Sequence, residues 1–462
     1  MQPWPIRNRW SFLEAGSRRG RFPYAQQRLP SYDGLMRDSK RIERDRLMKL
    51  EPDALVAHQL TRLNAMLAEI LPQNGFYADK LSQLDGPLRS LDDFSSLPFT
   101  FKEELVGIAF RSDFPANLTY PIDSYVRYHQ TSGTRGKPLP VLDTAKDWQW
   151  WVDCWQYVLD AAEIHPGDRV MMAFSFGPFI GFWTAHDAVI ARGALVIPSG
   201  GFGTMARLEL IRNTGATVVF STPSYALHMA EVAQDRQINL PALGVRKMFV
   251  AGEPGGSVPS VRSRIEQAWN AKLTDHAGAS EIGPWGFSDE QQRGLYVMES
   301  EFIAEFLSHE SGEPAKEGEL SELVLTSLGR WGSPVIRYRT GDLVKPIWNH
   351  HQDSGFVLLE GGILGRVDDM VVVRGVNIFP SSIDQIIRSF PEVVDYRLTA
   401  TRHGEMDQLK LEIEDRLQKP ERISEELQVR LGLKIEVALA PMGSLPRFEG
   451  KGKRFVDNRK IK

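Results

Sequence analysis

At roughly 100 to 200 residues per domain, a chain of 462 residues allows about two to four domains and a sizeable core, which excludes a lone small module. Its 55 basic and 59 acidic side chains leave a net charge of −4, with 42% of residues hydrophobic and 25% charged; whole-chain disorder and bulk attraction to nucleic acid are excluded. The single cysteine, Cys154, cannot form an internal disulfide or a multi-cysteine zinc site, and it fits a reducing compartment such as the cytoplasm.

The amino-terminal stretch carries Arg7, Arg9, Arg18, Arg19 and Arg21 but no apolar core of the kind a secretory signal needs, and Trp4, Trp10, Phe12 and Leu13 are read as docking on a domain surface. From about residue 40 to 110 the pattern is helical, with Val56, Leu60, Leu63, Leu67 and Ile70 forming one packing stripe. Trp148, Trp151, Trp155 and Leu159 share a second helical face, also read as core. Between residues 169 and 252 the apolar runs RVMMAFSF, GALVIPS, ATVVFSTP and RKMFVAG alternate with amphipathic segments, the rhythm of parallel strands joined by crossover helices. In such a sheet ligands bind beyond the carboxyl ends of the strands, which puts the loops 221–224 and 251–256 on the active face. The longest uncharged apolar stretch, 170–183, contains Gly177, Pro178 and Gly181 and is shorter than the roughly 18 residues a spanning helix requires, so no membrane span is expected.

Residues 296 to 363 break into short β-type runs, LYVMESEFIAEF, SELVLTSL and GFVLLEGGIL, which predict a more antiparallel β subdomain. After GRVDDM, the segment VVVRGVNIFPSSIDQIIRSF reads as a strand leading through a loop into an amphipathic helix, with Ser382 and Gln385 able to form a capping box. The expected fold class is α/β: a large N-terminal domain with mixed and parallel sheets and a β subdomain, followed by a small α+β C-terminal domain.

Several segments could carry chemistry. TSGTRGKP, Thr131 to Pro138, gathers hydroxyls, glycines and a lysine that suit a phosphate, because a polyanion needs convergent donors at close approach. It is not a Walker A loop, since Gly133 and Gly136 are too close and Pro138 follows Lys137; taken alone, such a segment is more often an ordinary hairpin turn. In GGFGTMA, Gly201, Gly203 and Ala206 match a dinucleotide fingerprint, but the next strand ends in Phe220, Ser221 and Thr222 without the acid that would hold a ribose. In GASE, Glu281 could complete a magnesium shell, or Ser280 and Glu281 could cap a helix. Asp342 of RYRTGD could accept ribose hydroxyls or pair with a neighbouring arginine. Lys451 lies between glycines in a basic tail, EGKGKR.

In their joint order, TSGTRGKP, GASE, RYRTGD, GRVDD with RGVNIFPS, and EGKGKR resemble the adenylate-forming superfamily of acyl-CoA synthetases, and the details are most similar to the phenylacetate–CoA ligase family. The resemblance spans about residues 90 to 460. It implies an N-terminal ATP- and acid-binding domain, 1–367, and a mobile C-terminal lid, 368–462, hinged at Asp368. It implies that Thr131, Ser132, Gly133, Thr134, Gly136 and Lys137 cover the β- and γ-phosphates of ATP, with Ser280 at the α-phosphate and Glu281 on Mg2+. Asp342 would hold the ribose and Arg366 would lie near it, while Gly252, Glu253 and Pro254 would face adenine. Lys451 would be the catalytic lysine of the adenylation pose, with Lys453 as the other claimant.

The implied activity is ATP-dependent conversion of a carboxylic acid to an acyl-adenylate and transfer to CoA. The alternatives are an amide ligase using an amine or amino acid, a coenzyme F390 synthetase-like adenylyltransferase, or a non-catalytic nucleotide-binding protein. A homodimer is compatible with the resemblance. Phe174, Phe176, Phe179, Trp183, Trp285 and Phe287 fall in the family's acyl-pocket segments and point to an aromatic or apolar acid. Two positions depart from the family pattern. Ala277 stands where an aromatic residue usually stacks on adenine, so either adenine is bound more weakly or His276 or a neighbour takes the stack, and Arg135 stands where threonine is common.

Overall fold

The computed structural model describes residues 39–106, 114–131, 138–174, 176–289, 291–348, 354–367, 371–373, 376–378, 380–403, 406–431, 435–446 and 454–459. The chain divides into two compact units at Arg44 and Asp45. Of the first unit only the start of the helix Ser39–Leu47 is described; all the sheets belong to the second.

The helix Pro52–Ile70 starts on an extended Glu51 with proline in its first turn, where the missing N–H costs nothing. Its buried face runs through Leu55, Gln59, Leu63, Met66, Leu67 and Ile70, whereas Val56 is 39% exposed. Leu63, Leu67 and Ile70 are buried as the apolar spacing predicts, but in the first turns the buried face runs through Leu55 and Gln59, one residue before Val56 and Leu60. The reason is Gln59, a polar side chain at a core position, whose amide donates to Glu299 O at 2.8 Å and Phe302 O at 3.1 Å. Hydrophobic counting passes over a residue that is buried by hydrogen bonding.

A nine-stranded sheet forms the centre. Its parallel part runs Leu195–Pro198, Arg169–Met172, Val218–Ser221, Lys247–Val250, Lys272–Ala279, as the alternation of strands and helices predicts. Beyond Lys272–Ala279 it continues antiparallel through Gly283–Ser288, Gly294–Val297, Leu358–Glu360 and Pro346–Ile347. The strand Arg169–Met172 lies between its two successors, Leu195–Pro198 on one side and Val218–Ser221 on the other. That reversal is a topological switch point, and it opens a crevice at the carboxyl ends of these strands. A second sheet of four antiparallel strands, Phe302–Ser308, Ser321–Ser327, Tyr338–Val344 and Gly365–Arg366, takes up only part of the predicted β subdomain, because GFVLLEGGIL gives Leu358–Glu360 to the central sheet. The run LYVMESEFIAEF is split: the first part joins the central sheet, the rest the second, with a turn at 298–301 between them.

The helix Ala145–Ala161 begins at a capping box between Thr144 and Asp147. Its expected face is buried, and so are Trp150, Cys154, Tyr157 and Val158, because residues of both sheets contribute to the core around it. A helix apolar on most sides belongs inside. The phosphate-loop candidate is the connection of a two-stranded hairpin, Tyr125–Gln130 with Pro140–Thr144, that leads into this helix.

The C-terminal part has a four-stranded sheet in which Val393–His403 and Met406–Asp415 pair antiparallel, flanked in parallel by Phe455–Asp457 and Glu436–Leu439. The helices Pro380–Arg388 and Pro420–Leu431 supply Ile383, Ile386, Ile387, Ile423 and Leu427 to a core separate from the others. A short hairpin, Val371–Val373 with Val376–Ile378, precedes the first helix where a strand and loop were expected. The side chains of Ser382 and Gln385 lie outside the described residues. Among the described residues no helix is long and apolar enough to cross a membrane.

Candidate active site

The neck of the glycine-rich loop is closed by Thr131, whose N–H donates to Leu139 O at 2.9 Å while its hydroxyl accepts from Leu139 N at 2.9 Å. Ser132, Gly133, Thr134, Gly136 and Lys137 lie outside the described residues, as do Arg135, Asp368, Lys451 and Lys453. Gln130 N donates to Pro178 O at 2.8 Å, so the strand entering the loop is tied to the segment holding the predicted acyl-side aromatics. There Phe174 stacks on Phe182 at 4.2 Å and Phe176 lies 4.7 Å from Trp183. Trp285 and Phe287 are instead buried in the central sheet, Phe287 between Tyr157 and Tyr296.

On the other side of the loop, Asp143 of the exit strand is fully buried against Arg330. Arg330 Nε donates to Asp143 Oδ1 at 2.8 Å, and Nη1 donates to Ser280 O at 2.8 Å. One guanidinium thus links the strand leaving the phosphate loop to the GASE turn. Burial outweighs the attraction of Arg330 and pushes the Asp143 carboxyl up to about 6.

Glu281 follows that turn, with its side chain 11% exposed. Its Oε1 accepts from Lys102 Nζ at 3.1 Å and from the Tyr338 hydroxyl at 2.9 Å. Burial opposes ionisation, but the Lys102 ammonium and the hydrogen bonds win and hold Glu281 below the ordinary carboxylate range. Burial and the Glu281 carboxylate push the Tyr338 phenol up, so it stays a donor. Four residues along the same strand, Asp342 pairs across the sheet with Arg366, Nη1 to Oδ1 at 2.8 Å. The arginines nearer in sequence are committed elsewhere, Arg337 to Glu305 and Arg339 to Glu322. Glu281, Tyr338, Asp342 and Arg366 therefore stand within electrostatic reach of one another.

Glu253 and Pro254 lie past the carboxyl end of Lys247–Val250, where the loop 251–256 was expected. Glu253 Oε1 accepts from Ser224 N at 2.7 Å, at the start of the helix Pro223–Asp235, where a carboxylate also suits the helix dipole. Beneath the turn, Asp275 accepts from Ser257 Oγ at 2.6 Å, and burial pushes its carboxyl up to about 6. Gly256 is required there, since a Cβ would stand 2.3 Å from Asp275 Cγ. His276 does not offer a face for stacking. It is 8% exposed, donates Nδ1–H to Gly286 O at 2.6 Å and lies 4.5 Å from the Trp155 ring. Burial lowers its pKa to about 4, which keeps the ring neutral.

The C-terminal part meets this face along a cavity of about 40 Å3, where Ser224, Glu231 and Arg264 oppose Arg388, Asp395 and Arg454. Arg454 donates to Asp395 at 2.7 Å and Arg388 to Asp384 at 2.7 Å, and both arginines feel the Glu253 carboxylate. Lys102, Tyr338, Arg330 and Asp143 were not singled out from the sequence. Tyr338 lay unassigned inside RYRTGD, and the other three acquire meaning only from partners far along the chain.

An AMP-binding enzyme model matches residues 115–303, and an AMP-binding enzyme C-terminal domain model matches 375–459. The chain is 30% identical over 448 residues to a phenylacetate-coenzyme A ligase of Thermus thermophilus, covering 90% of this chain and 99% of the relative. It is 31% identical over 440 residues to the enzyme of the same name from Escherichia coli, covering 89% and 98%. Among solved structures, 2-hydroxyisobutyryl-CoA ligase in the postadenylation state with R3-HIB-AMP superposes with a TM-score of 0.83 at 28% identity, covering 90% of this chain and 92% of that one. The same ligase in the thioesterification state, with 2-HIB-AMP and CoA, gives 0.67 at 28% identity over the same shares. The ordered motifs, the two-part fold and these relatives agree, and the chain belongs to the phenylacetate–coenzyme A ligase family of AMP-binding enzymes.

Proposed function

We propose that the chain activates a carboxylic acid with ATP and passes the acyl group to coenzyme A. A carboxylate oxygen attacks the α-phosphorus, the bond to pyrophosphate breaks, and an acyl-adenylate forms. The CoA thiol then loses its proton and attacks the acyl carbonyl, and AMP leaves with the electron pair of the acyl C–O bond. The observation that carries this reading is that Glu281, Asp342 and Arg366 gather around Tyr338 while Ser280 is linked through Arg330 to the strand leaving the glycine-rich loop, in a chain whose relatives are CoA ligases along nearly their whole length.

Glu281 suits a magnesium ion, which takes one or two carboxylates and shares the rest of its shell with phosphates and water. Among the described residues no group of three or more acidic, histidine or cysteine side chains forms a protein cage for a metal. When bound, Mg2+ would neutralise charge on the phosphate oxygens. Asp342 holds the ribose hydroxyls, with Arg366 setting its orientation, and the 131–137 loop, with Lys137, grips the polyphosphate. The residues from 368 onward act as a lid turning about Asp368, which brings Lys451 to the α-phosphate for the first step and removes it for the second. The separate core of that part and the contrast between TM-scores of 0.83 and 0.67 for two states of one ligase support this division. The aromatic pile at Phe174, Phe176, Phe182 and Trp183 favours an aromatic or apolar acid.

The test supplies purified protein with ATP, Mg2+ and a panel of aryl and alkyl acids, and follows AMP and pyrophosphate with CoA, amino acids or neither added. AMP release dependent on one class of acid, with a thioester formed only when CoA is present, is expected. No AMP or nucleotidylated product with any acid would overturn the reading, and amide formation without thioester would reassign the acceptor.

A further inference from the structure

We propose that Lys102 competes with the divalent cation for Glu281 and, once displaced, binds the polyphosphate. This rests on the reading of Glu281 as the metal-binding carboxylate. Lys102 belongs to none of the motifs that led to the family, and it reaches the site from 179 residues away along the chain.

The geometry of the pair is uneven. Glu281 is held in place with its side chain 11% exposed, by the Tyr338 hydroxyl on one oxygen and by a turn that Arg330 fixes. Lys102 enters from the solvent side, 40% exposed, and its ammonium sits 3.1 Å from the same oxygen. The backbone beneath it is anchored. Thr100 N donates to Arg337 O at 2.9 Å, Arg339 N donates to Thr100 O at 3.0 Å, and Thr100 Oγ1 donates to Ile336 O at 2.6 Å. Glu104 then accepts from Phe101 N at 2.7 Å and Lys80 Nζ at 2.6 Å. The segment 99–102 is thus stitched to the strand that bears Tyr338 and Asp342, and the four-carbon stem of Lys102 is the part left to swing.

A half-exposed lysine–carboxylate pair gains little as a stabilising contact, because solvent screens it. Its value is in charge bookkeeping at the site. A carboxylate kept ionised in a buried turn needs a positive partner, and a lysine supplies one that a divalent ion can displace by repulsion. Displaced by a divalent ion at Glu281, the ammonium remains beside the GASE turn, where the proposed role of Ser280 would put the α-phosphate. A compact, flexible point charge with three donors is suited to following phosphate oxygens as charge moves between them.

The test uses Lys102→Met, Lys102→Gln and Lys102→Arg in the full chain, with Mn2+ alone and ATP in EDTA as probes. Mn2+ binding, read by electron paramagnetic resonance, is expected to tighten about tenfold in Lys102→Met and Lys102→Gln, because a competitor has gone. ATP binding without metal, read by calorimetry, is expected to weaken about tenfold in both and to be restored in Lys102→Arg. A merely structural lysine would weaken both ligands together or neither, and either result overturns the proposal. Glu281→Gln separates the two claims. If it leaves Mn2+ binding intact, the reading of Glu281 fails and the proposal falls with it. If it abolishes Mn2+ binding while Lys102→Met leaves Mn2+ affinity unchanged, the competition alone is refuted.

Discussion

Replacing Arg330 with methionine keeps an unbranched stem of similar length and removes the charge that joins Asp143 to Ser280. Both partners of the pair are fully buried, at 2.7 Å between Nη2 and Oδ1. The carbonyl of Ser280 also loses its donor, a loss worth about 1–3 kcal/mol for a buried acceptor. The cost at Asp143 depends on pH. In the wild type its carboxyl titrates near 6 instead of 3.8, so its stabilising contribution is complete below the unfolded value and is lost as pH rises through 6. Without Arg330 the folded pKa climbs further, and the loss continues above pH 6 where the wild type has levelled off. The gap between variant and wild type should therefore widen by about 1.4 kcal/mol per pH unit above 6. Near pH 5, where Asp143 is protonated in both, only the Ser280 term remains. Urea unfolding followed by tryptophan fluorescence at pH 5, 7 and 8 measures this. In Arg330→Met combined with Asp143→Leu the pH-dependent part should vanish, because replacing a buried ion pair by apolar side chains is often neutral. Pyrophosphate release should stay at least tenfold low in that double variant, since the GASE turn is still unsupported. A gap that is flat from pH 5 to 8, or a double variant with wild-type adenylation, would refute the positioning argument.

Two further outcomes are expected. Burial pushes the Glu299 carboxyl up to about 7, with Val357 N at 2.6 Å as the opposing hydrogen bond, so its contribution is present below pH 4.5 and lost as pH rises through 7; Glu299→Gln should match the wild type at pH 4 and exceed it by about 3 kcal/mol at pH 8.5, read from urea midpoints. Lys451→Ala should lower adenylation by about 100-fold or more while leaving thioester formation from a supplied acyl-adenylate largely intact, and equal loss of both half-reactions, measured separately, would count against a two-pose lid.

The parallel sheet was legible because its strands are apolar runs at even spacing, and the crevice followed from the rule for such sheets. Glu281, Asp342 and Arg366 were legible through motif order, and the structure brings them together. The residues that tune them were not. Lys102 and Glu281 are 179 positions apart, Asp143 and Arg330 187 positions, and each pair is made only by tertiary packing. Asp342 illustrates the same limit: proximity in sequence favoured Arg337 or Arg339, but side chains alternate across a strand, and cross-strand register selects Arg366. The Ala277 departure was visible in the sequence, whereas the commitment of His276 to the core depends on Trp155 of a helix more than a hundred residues earlier.

The seam between the C-terminal part and the crevice face has a mechanical consequence. The water-sized cavity on it is lined by charged and apolar residues together, Leu227, Ile387, Val393 and Val394 beside arginines paired within their own side, Arg388 to Asp384 and Arg454 to Asp395. Parting such a seam uncovers ionic groups that water receives readily, and each half keeps its own ion pairs. An oily joint would have to expose its apolar area at every swing, at about 25 cal/mol for each Å2. For the proposed lid, the self-paired charges of this seam would lower the cost of each opening below that of a wholly apolar joint.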